Sequence, residues 1–333
     1  MLVLPFRASL TRKRAPGKRH LKRWSRLTRL PSPLNPQAMN DTGAPQLALP
    51  PVIDGLAAIA GKYDLVFTDV WGVLHNGMKA HPGACEALVN IRKAGVPVVL
   101  ITNAPRQAPV VVGQLDRLGV PRAAYDAIVT SGDISRDYIR TRPGQPVHHV
   151  GPKRDLVVFE GLDTRLVDIE EAAYVVCTGL VDDRTETPDD YQERLERMKA
   201  RGLFFLCGNP DKVVEVGHDL IFCAGAIGDR YQSMGGEVLY AGKPYEPAYE
   251  ACWRYAERIV GKRSDASRVL AIGDAMRTDV AGAVRMGMDC LFLAEGIHAE
   301  VLLGPQGIKP EGLAALIAET GQHPRYVMRK LVW

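Results

Sequence analysis

The stretch Leu65-Val66-Phe67-Thr68-Asp69-Val70-Trp71-Gly72-Val73-Leu74 decides the fold of this 333-residue chain. Leu65 to Thr68 is an apolar, β-branched run of the length of a buried strand, and it stops at a carboxylate, Asp69. Beyond it, from Pro82, the apolar positions Ala84, Leu88 and Ile91 are spaced for one helix face, closed by Gly95. Pro97 to Ile101 reads as the next strand. Val111, Leu115 and Leu118, followed by Gly119, give a second helix, and Ala127 to Val129 a third strand. The order is β-α-β-α-β, which right-handed crossovers fold into a parallel sheet covered on both faces.

The alternation continues through the chain. Val147 to Val150 and Tyr174 to Cys177 read as strands, Thr187-Pro188 opens a helix running through Tyr191, Leu195 and Met198 to Gly202, and Leu203 to Leu206 is strand-like. After Tyr240 come a helix (Pro247 to Ile259), a strand (Val269 to Ile272), a helix (Asp279 to Met286) and a strand (Cys290 to Leu293). The reading is α/β: a doubly wound, Rossmann-like parallel sheet interrupted by a second α/β unit.

Composition excludes other classes. With 46% apolar and 24% charged residues the chain is neither disordered nor fibrous, and its length suits two domains. No run approaches the ~18 apolar residues of a membrane span, so no membrane partner is expected. Six scattered cysteines (Cys85, Cys177, Cys207, Cys223, Cys252, Cys290) lack C-x-x-C spacing, which points to reduced thiols in a cytoplasmic setting. The net charge of +4 contains ten Lys and Arg within residues 1–38, where there is no acid, so the rest carries −6. A nucleic-acid footprint over the body is therefore not expected. The basic head, residues 1–45 as a disordered extension, reads as sequence ahead of a start at Met39, as a targeting peptide, or as an arm for nucleic acid or anionic lipid.

Ligand crevices in open parallel sheets lie beyond the carboxyl ends of the strands. Three strands here end in Asp69, in Thr102-Asn103 and in Gly273-Asp274. Singly, each is also what an N-cap of the next helix looks like. Together, two carboxylates meeting at one sheet edge need a cation, and oxygen ligands suit Mg²⁺ and a phosphate-handling site.

Phe67 to Leu74, Leu100-Ile101-Thr102-Asn103, Gly242-Lys243-Pro244 and Gly273 to Asp279 resemble, in order and spacing, motifs I to IV of the haloacid-dehalogenase (HAD) superfamily. The roughly 140 residues between the second and third, and Cys207-Gly208-Asn209-Pro210-Asp211, are similar to its class IIA branch, the NagD-like and p-nitrophenyl phosphatase group. The resemblance implies a core of residues 46–130 and 238–333 with an α/β cap of C2 type at 131–237. It implies a Mg²⁺-dependent phosphohydrolase for a small phosphorylated metabolite such as a sugar phosphate or nucleotide. Asp69 would be the nucleophile, forming an aspartyl-phosphate, and Lys243 would neutralise it and the transferring group. Thr102, Asn103 and Lys243 would bind phosphate; Asp69, the Trp71 carbonyl and Asp274 would hold the metal, with Asp279 outside them. Asn209 and Asp211 would meet substrate from the cap, and a homodimer through the cap is expected.

One position departs from the pattern. The family's phosphatases place a second Asp two residues after the nucleophile, as acid and then base; this chain has Trp71. An indole exchanges no proton at neutral pH, so a factor of ~10² to 10⁴ is missing. His75, six residues after Asp69, is a candidate surrogate or an ordinary loop histidine. The pair His148-His149 reads as strand-end packing. Gly151 to Arg154 and Asp182-Asp183-Arg184 are candidate cap contacts or turn chemistry. The competing reading is a weakened member that binds a phosphorylated ligand without turnover, supported by Trp71 and opposed by Asp69, Lys243 and Asp274. Carbon–halogen hydrolysis needs no metal, and the Asp274 to Asp279 cluster argues against it.

Overall fold

A computed structural model describes residues 48–216 and 219–333; the basic head lies outside the described residues. The first sheet holds β1 (Leu65–Thr68), β2 (Val98–Thr102), β3 (Ala127–Thr130), β11 (Val269–Gly273), β12 (Asp289–Leu293) and β15 (Tyr326–Met328). Their order is β15-β12-β11-β1-β2-β3, and every neighbouring pair is parallel. The chain runs outward from β1 to β3, then returns to the other side of β1 and runs outward again. The direction of winding therefore switches between β1 and β11, where the carboxyl ends diverge into a crevice. Alternation sorts the side chains: Leu65 and Phe67 face one core with the helix Glu246–Val260, while Val66 faces the other with the helix Pro82–Lys93.

The second sheet comprises β4 (Pro146–Val150), β5 (Arg165–Leu166), β6 (Tyr174–Cys177), β7 (Phe204–Cys207) and β10 (Val238–Tyr240). Its order is β10-β7-β6-β4-β5, and it is also parallel. Strand β10 corrects the expected boundary at 237. Its residues pair with Phe205 to Cys207, so the chain returns to the core only after Tyr240. An antiparallel hairpin, β8 (Val213–Val216) and β9 (Asp219–Phe222), projects from this unit, and a small one, β13 (Leu303–Gly304) with β14 (Gly307–Ile308), lies in the core. The helix expected from Asp279 begins as a π-helical turn, Met276–Val280, which continues into Ala281–Met286. No helix among the described residues is long and apolar enough to cross a membrane.

Candidate active site

Asp69 leaves β1 at the switch point, its N–H donating to the Ile272 carbonyl of β11 at 2.8 Å. The chain then turns through Gly72, whose φ of +82° is open to glycine at little cost. A Cβ there would lie 2.2 Å from Asp274 Oδ2, so the turn can sit against the second carboxylate only because the side chain is missing. Gly296 also approaches this carboxylate, where a Cβ would lie 2.1 Å from Oδ2, and the Ile297 N–H donates to its Oδ2 at 2.9 Å.

Lys243 enters from the loop after β10. Its ammonium lies 2.6 Å from Asp69 Oδ1 and 2.7 Å from Asp279 Oδ1, with only 3% of the residue exposed. Asp279 is held from its other oxygen by the Ala275 N–H, 3.1 Å from Oδ2. Asn103 ties three segments together. Its Oδ1 accepts from the Lys243 N–H at 2.7 Å, and its Nδ2 donates to the Lys243 carbonyl at 3.2 Å and to Asp211 Oδ1 at 2.8 Å. Asp211 is positioned in turn by Asn209, whose Oδ1 accepts its N–H at 3.2 Å. The Thr102 hydroxyl accepts from the Ala104 N–H at 3.2 Å.

Oxygen atoms of Asp69, Asp274 and Asp279 lie within 4.8 Å of one another, all three residues being buried. Burial raises the Asp69 carboxyl well above the usual range despite the pull of Lys243, with Asp279 and Asp274 adding to the rise. Burial and Asp279 push Asp274 up to about 7. Burial works against the Lys243 ammonium, but Asp279 and Asp69 outweigh it and hold its pKa well above normal. Three carboxylates against one ammonium leave a surplus of negative charge in a buried space, and a divalent cation with oxygen ligands fits that donor set.

Asn209, Asp211, Thr102 and Trp71 line one cavity of about 460 Å³ between the two sheets. Within it, Arg154 pairs with Asp183, and Pro152 and Arg184 also contribute to the wall. Trp71 lies across Gly77, where a Cβ would come 2.6 Å from the indole, and meets the His75 ring edge-on at 5.0 Å. His75 is buried, and burial lowers its pKa to about 4. Its Nδ1 accepts the Gly77 N–H at 2.9 Å. A neutral ring fixed in this way is a poor acid at neutral pH, which weighs against the surrogate role. His148 contacts the Val167 carbonyl and His149 the Thr178 hydroxyl, both at 2.9 Å, as strand-end packing requires. All six cysteines are buried and unpaired.

Two charged lining residues have no counterpart in the sequence reading. Arg106 follows Asn103 by three positions, and Asp155 sits one residue beyond the Gly151 to Arg154 group, in the 3₁₀ segment Lys153–Phe159. Adjacency was the only signal for either; burial and the facing partner are properties of the fold.

The pattern described as haloacid dehalogenase-like hydrolase matches residues 66–165, and a second, described as HAD-hydrolase-like, matches 240–320. The crystal structure of a hydrolase of the haloacid dehalogenase-like family from Brucella suis 1330 is 44% identical with a TM-score of 0.75, covering 84% of this chain and 100% of that one. Ribonucleotide monophosphatase NagD of Escherichia coli is 22% identical over 256 residues, 76% of this chain and 96% of the relative. An acid sugar phosphatase of Staphylococcus aureus is 27% identical over 244 residues, 71% and 88% of the two chains. With motifs, topology and a 44% identical relative matched along its whole length, this chain belongs to the haloacid dehalogenase-like hydrolase family, in its NagD-like class IIA branch.

Proposed function

We propose that the protein is a Mg²⁺-dependent phosphomonoester hydrolase of small phosphorylated metabolites, working through an aspartyl-phosphate at Asp69. The observation that carries this is the buried Asp69–Lys243–Asp279 array beside Asp274, with one ammonium against three carboxylates. The relatives named as ribonucleotide monophosphatase and acid sugar phosphatase support the reaction class and the small-metabolite substrate.

Asp69, Asp274 and the Trp71 carbonyl would hold the metal. Both oxygens of Asp279 are engaged, by Lys243 and by the Ala275 N–H, which supports a place outside the direct ligands. Bound there, Mg²⁺ would withdraw charge from the phosphoryl oxygens. An Asp69 oxygen attacks phosphorus in line with the departing oxygen. Lys243, fixed by Asn103, stays protonated and stabilises charge developing on the transferring group, the largest effect open to a site of this kind. Thr102 and the Asn103 backbone would take phosphoryl oxygens. Asp211, oriented by Asn103 and Asn209, would close the site from the cap. Trp71 gives no proton and His75 is held neutral, so the leaving oxygen departs without an acid from either. Substrates with a weakly basic leaving oxygen should turn over fastest.

Trp71 also favours a second reading, a protein that binds its phosphorylated ligand without turnover. Phosphate release from p-nitrophenyl phosphate and a metabolite panel, with and without Mg²⁺, separates the two. Metal-dependent release abolished in Asp69→Asn is the expected result. Release equal to that of Asp69→Asn, with thermal stabilisation by a phosphorylated ligand, would establish the binder.

A further inference from the structure

The peptide unit between Trp71 and Gly72 carries both the Trp71 carbonyl and the Gly72 N–H. That N–H donates to the His75 carbonyl at 2.8 Å. A planar trans peptide points its C=O opposite to its N–H, so the bond to His75 fixes the direction of the Trp71 carbonyl. The same unit is confined on its Gly72 side, where a Cβ would lie 2.2 Å from Asp274 Oδ2. Its orientation beside that carboxylate therefore depends on where His75 is held.

His75 is braced from its side chain. It is 2% exposed, its Nδ1 accepts the Gly77 N–H at 2.9 Å, and its ring meets the Trp71 indole edge-on at 5.0 Å. The indole in turn lies across Gly77, where a Cβ would come 2.6 Å from it, at a φ of +84° that favours glycine. Trp71, His75 and Gly77 thus close a ring of three contacts. The backbone adds to it: the Leu74 N–H donates to the Val70 carbonyl at 2.9 Å and the His81 N–H to the Leu74 carbonyl at 2.8 Å. An apolar side chain in place of His75 could fill the space but would leave the Gly77 N–H without this acceptor.

We propose that His75 is a positioning residue: through its carbonyl and its ring it holds the Trp71 carbonyl ready to ligate the metal, and the Trp71 indole is the surface it is held against. The proposal rests on the metal assignment made in the hydrolase reading. It gives the Trp71 side chain a role unrelated to proton transfer, because the backbone supplies the ligand and the indole keeps that backbone rigid. A carbonyl fixed in advance needs no ordering when the cation arrives, so the brace acts on Mg²⁺ affinity. Groups that orient a metal ligand typically change affinity about ten- to hundredfold when they are lost.

The test is the Mg²⁺ dissociation constant of the full chain, read from the rise in melting temperature across a Mg²⁺ titration, for wild type, His75→Ala and His75→Asn. Asn places Oδ1 at the same number of bonds from the backbone as Nδ1 and can accept the Gly77 N–H. His75→Ala is expected to raise the constant about ten- to hundredfold, and His75→Asn to restore most of the loss. Both variants lose ring packing. A role in packing alone would therefore lower the metal-free melting temperature of both and leave the constant unchanged, or change it equally in both; either result overturns the proposal. A proton-transfer role would lower kcat at every Mg²⁺ concentration with the constant unchanged, which also overturns it. If His75→Ala does not fold, Trp71→Phe keeps the carbonyl, removes the indole atoms over Gly77 and is expected to raise the constant about tenfold; an unchanged constant there overturns the proposal. A wild type that binds Mg²⁺ but releases no phosphate defeats the hydrolase reading alone, and the constants still decide the brace. One that binds no Mg²⁺ defeats both.

Discussion

Replacing Lys243 by Met removes the ammonium that pairs with buried Asp69 and Asp279 beside Asp274, so it tests the charge accounting of the site as well as its chemistry. At an effective dielectric constant near 20, each contact of 2.6 and 2.7 Å has a gross attraction of about 6 kcal/mol. Much of that offsets the desolvation of the ammonium. What a truncation exposes is the uncompensated charge left behind, about 3–5 kcal/mol for a buried pair. At roughly 2–4 °C per kcal/mol for domains of 150–250 residues, the melting temperature in EDTA should fall by roughly 6–20 °C. Differential scanning fluorimetry of wild type, Lys243→Met and Lys243→Met with Asp279→Asn measures it. The second substitution removes one of the stranded charges and should restore part of the loss. A fall below about 2 °C, or a double variant no more stable than the single, would refute the charge accounting.

Trp71→Asp places a carboxyl at the family's acid position and should raise turnover of simple alkyl phosphates by ~10²- to 10⁴-fold, with a smaller effect on p-nitrophenyl phosphate. A uniform effect on both would show that proton delivery is not the missing element. In EDTA, stability should decline as pH rises from about 4 to 7. Asp274 binds its proton more tightly in the folded state, with a pKa near 7, than in the unfolded state, so the folded form loses relative stability across that window. Denaturant titrations at several pH values check this, and Mg²⁺ should raise stability most at the upper end. Gly72→Ala combines a left-handed backbone with a Cβ 2.2 Å from Asp274 Oδ2. It should cost about 1–3 kcal/mol and weaken Mg²⁺ binding, read by melting with and without the metal.

Much of this site was legible because chain order and sheet topology coincide. Asp69 and Asp274 each follow a buried apolar run, and two such runs flanking a switch point bring their end residues together. Lys243 was legible only through its motif, since nothing local shows that a lysine 140 residues after Asn103 packs against that asparagine. Burial was not legible. His75 is close to Asp69 in sequence, but a ring buried against Trp71 and fixed on the Gly77 N–H differs from a solvated loop histidine of the same spacing. Asp155 depends on a core loop facing a cap turn, a relation that local patterns do not encode. The boundary near 237 slipped for a related reason. Val238-Leu239-Tyr240 has the pattern of a buried parallel strand in either sheet, and only its pairing with Phe205 to Cys207 assigns it. Tyr326 to Met328 is three residues long and gives no periodicity to read, yet it completes the core sheet beside β12.

Acid-quench trapping shows whether Asp69 carries the phosphoryl group. The base that would speed the second step is missing at Trp71, so the intermediate should accumulate after a burst of nitrophenolate from p-nitrophenyl phosphate. Quenching during steady turnover in Mg²⁺, followed by peptide mapping, should find a hydroxylamine-labile phosphate on the peptide containing Asp69 and none in Asp69→Asn. Metal-dependent turnover retained in Asp69→Asn, with no phosphate on that peptide in wild type, would show that Asp69 is not the phosphoryl carrier.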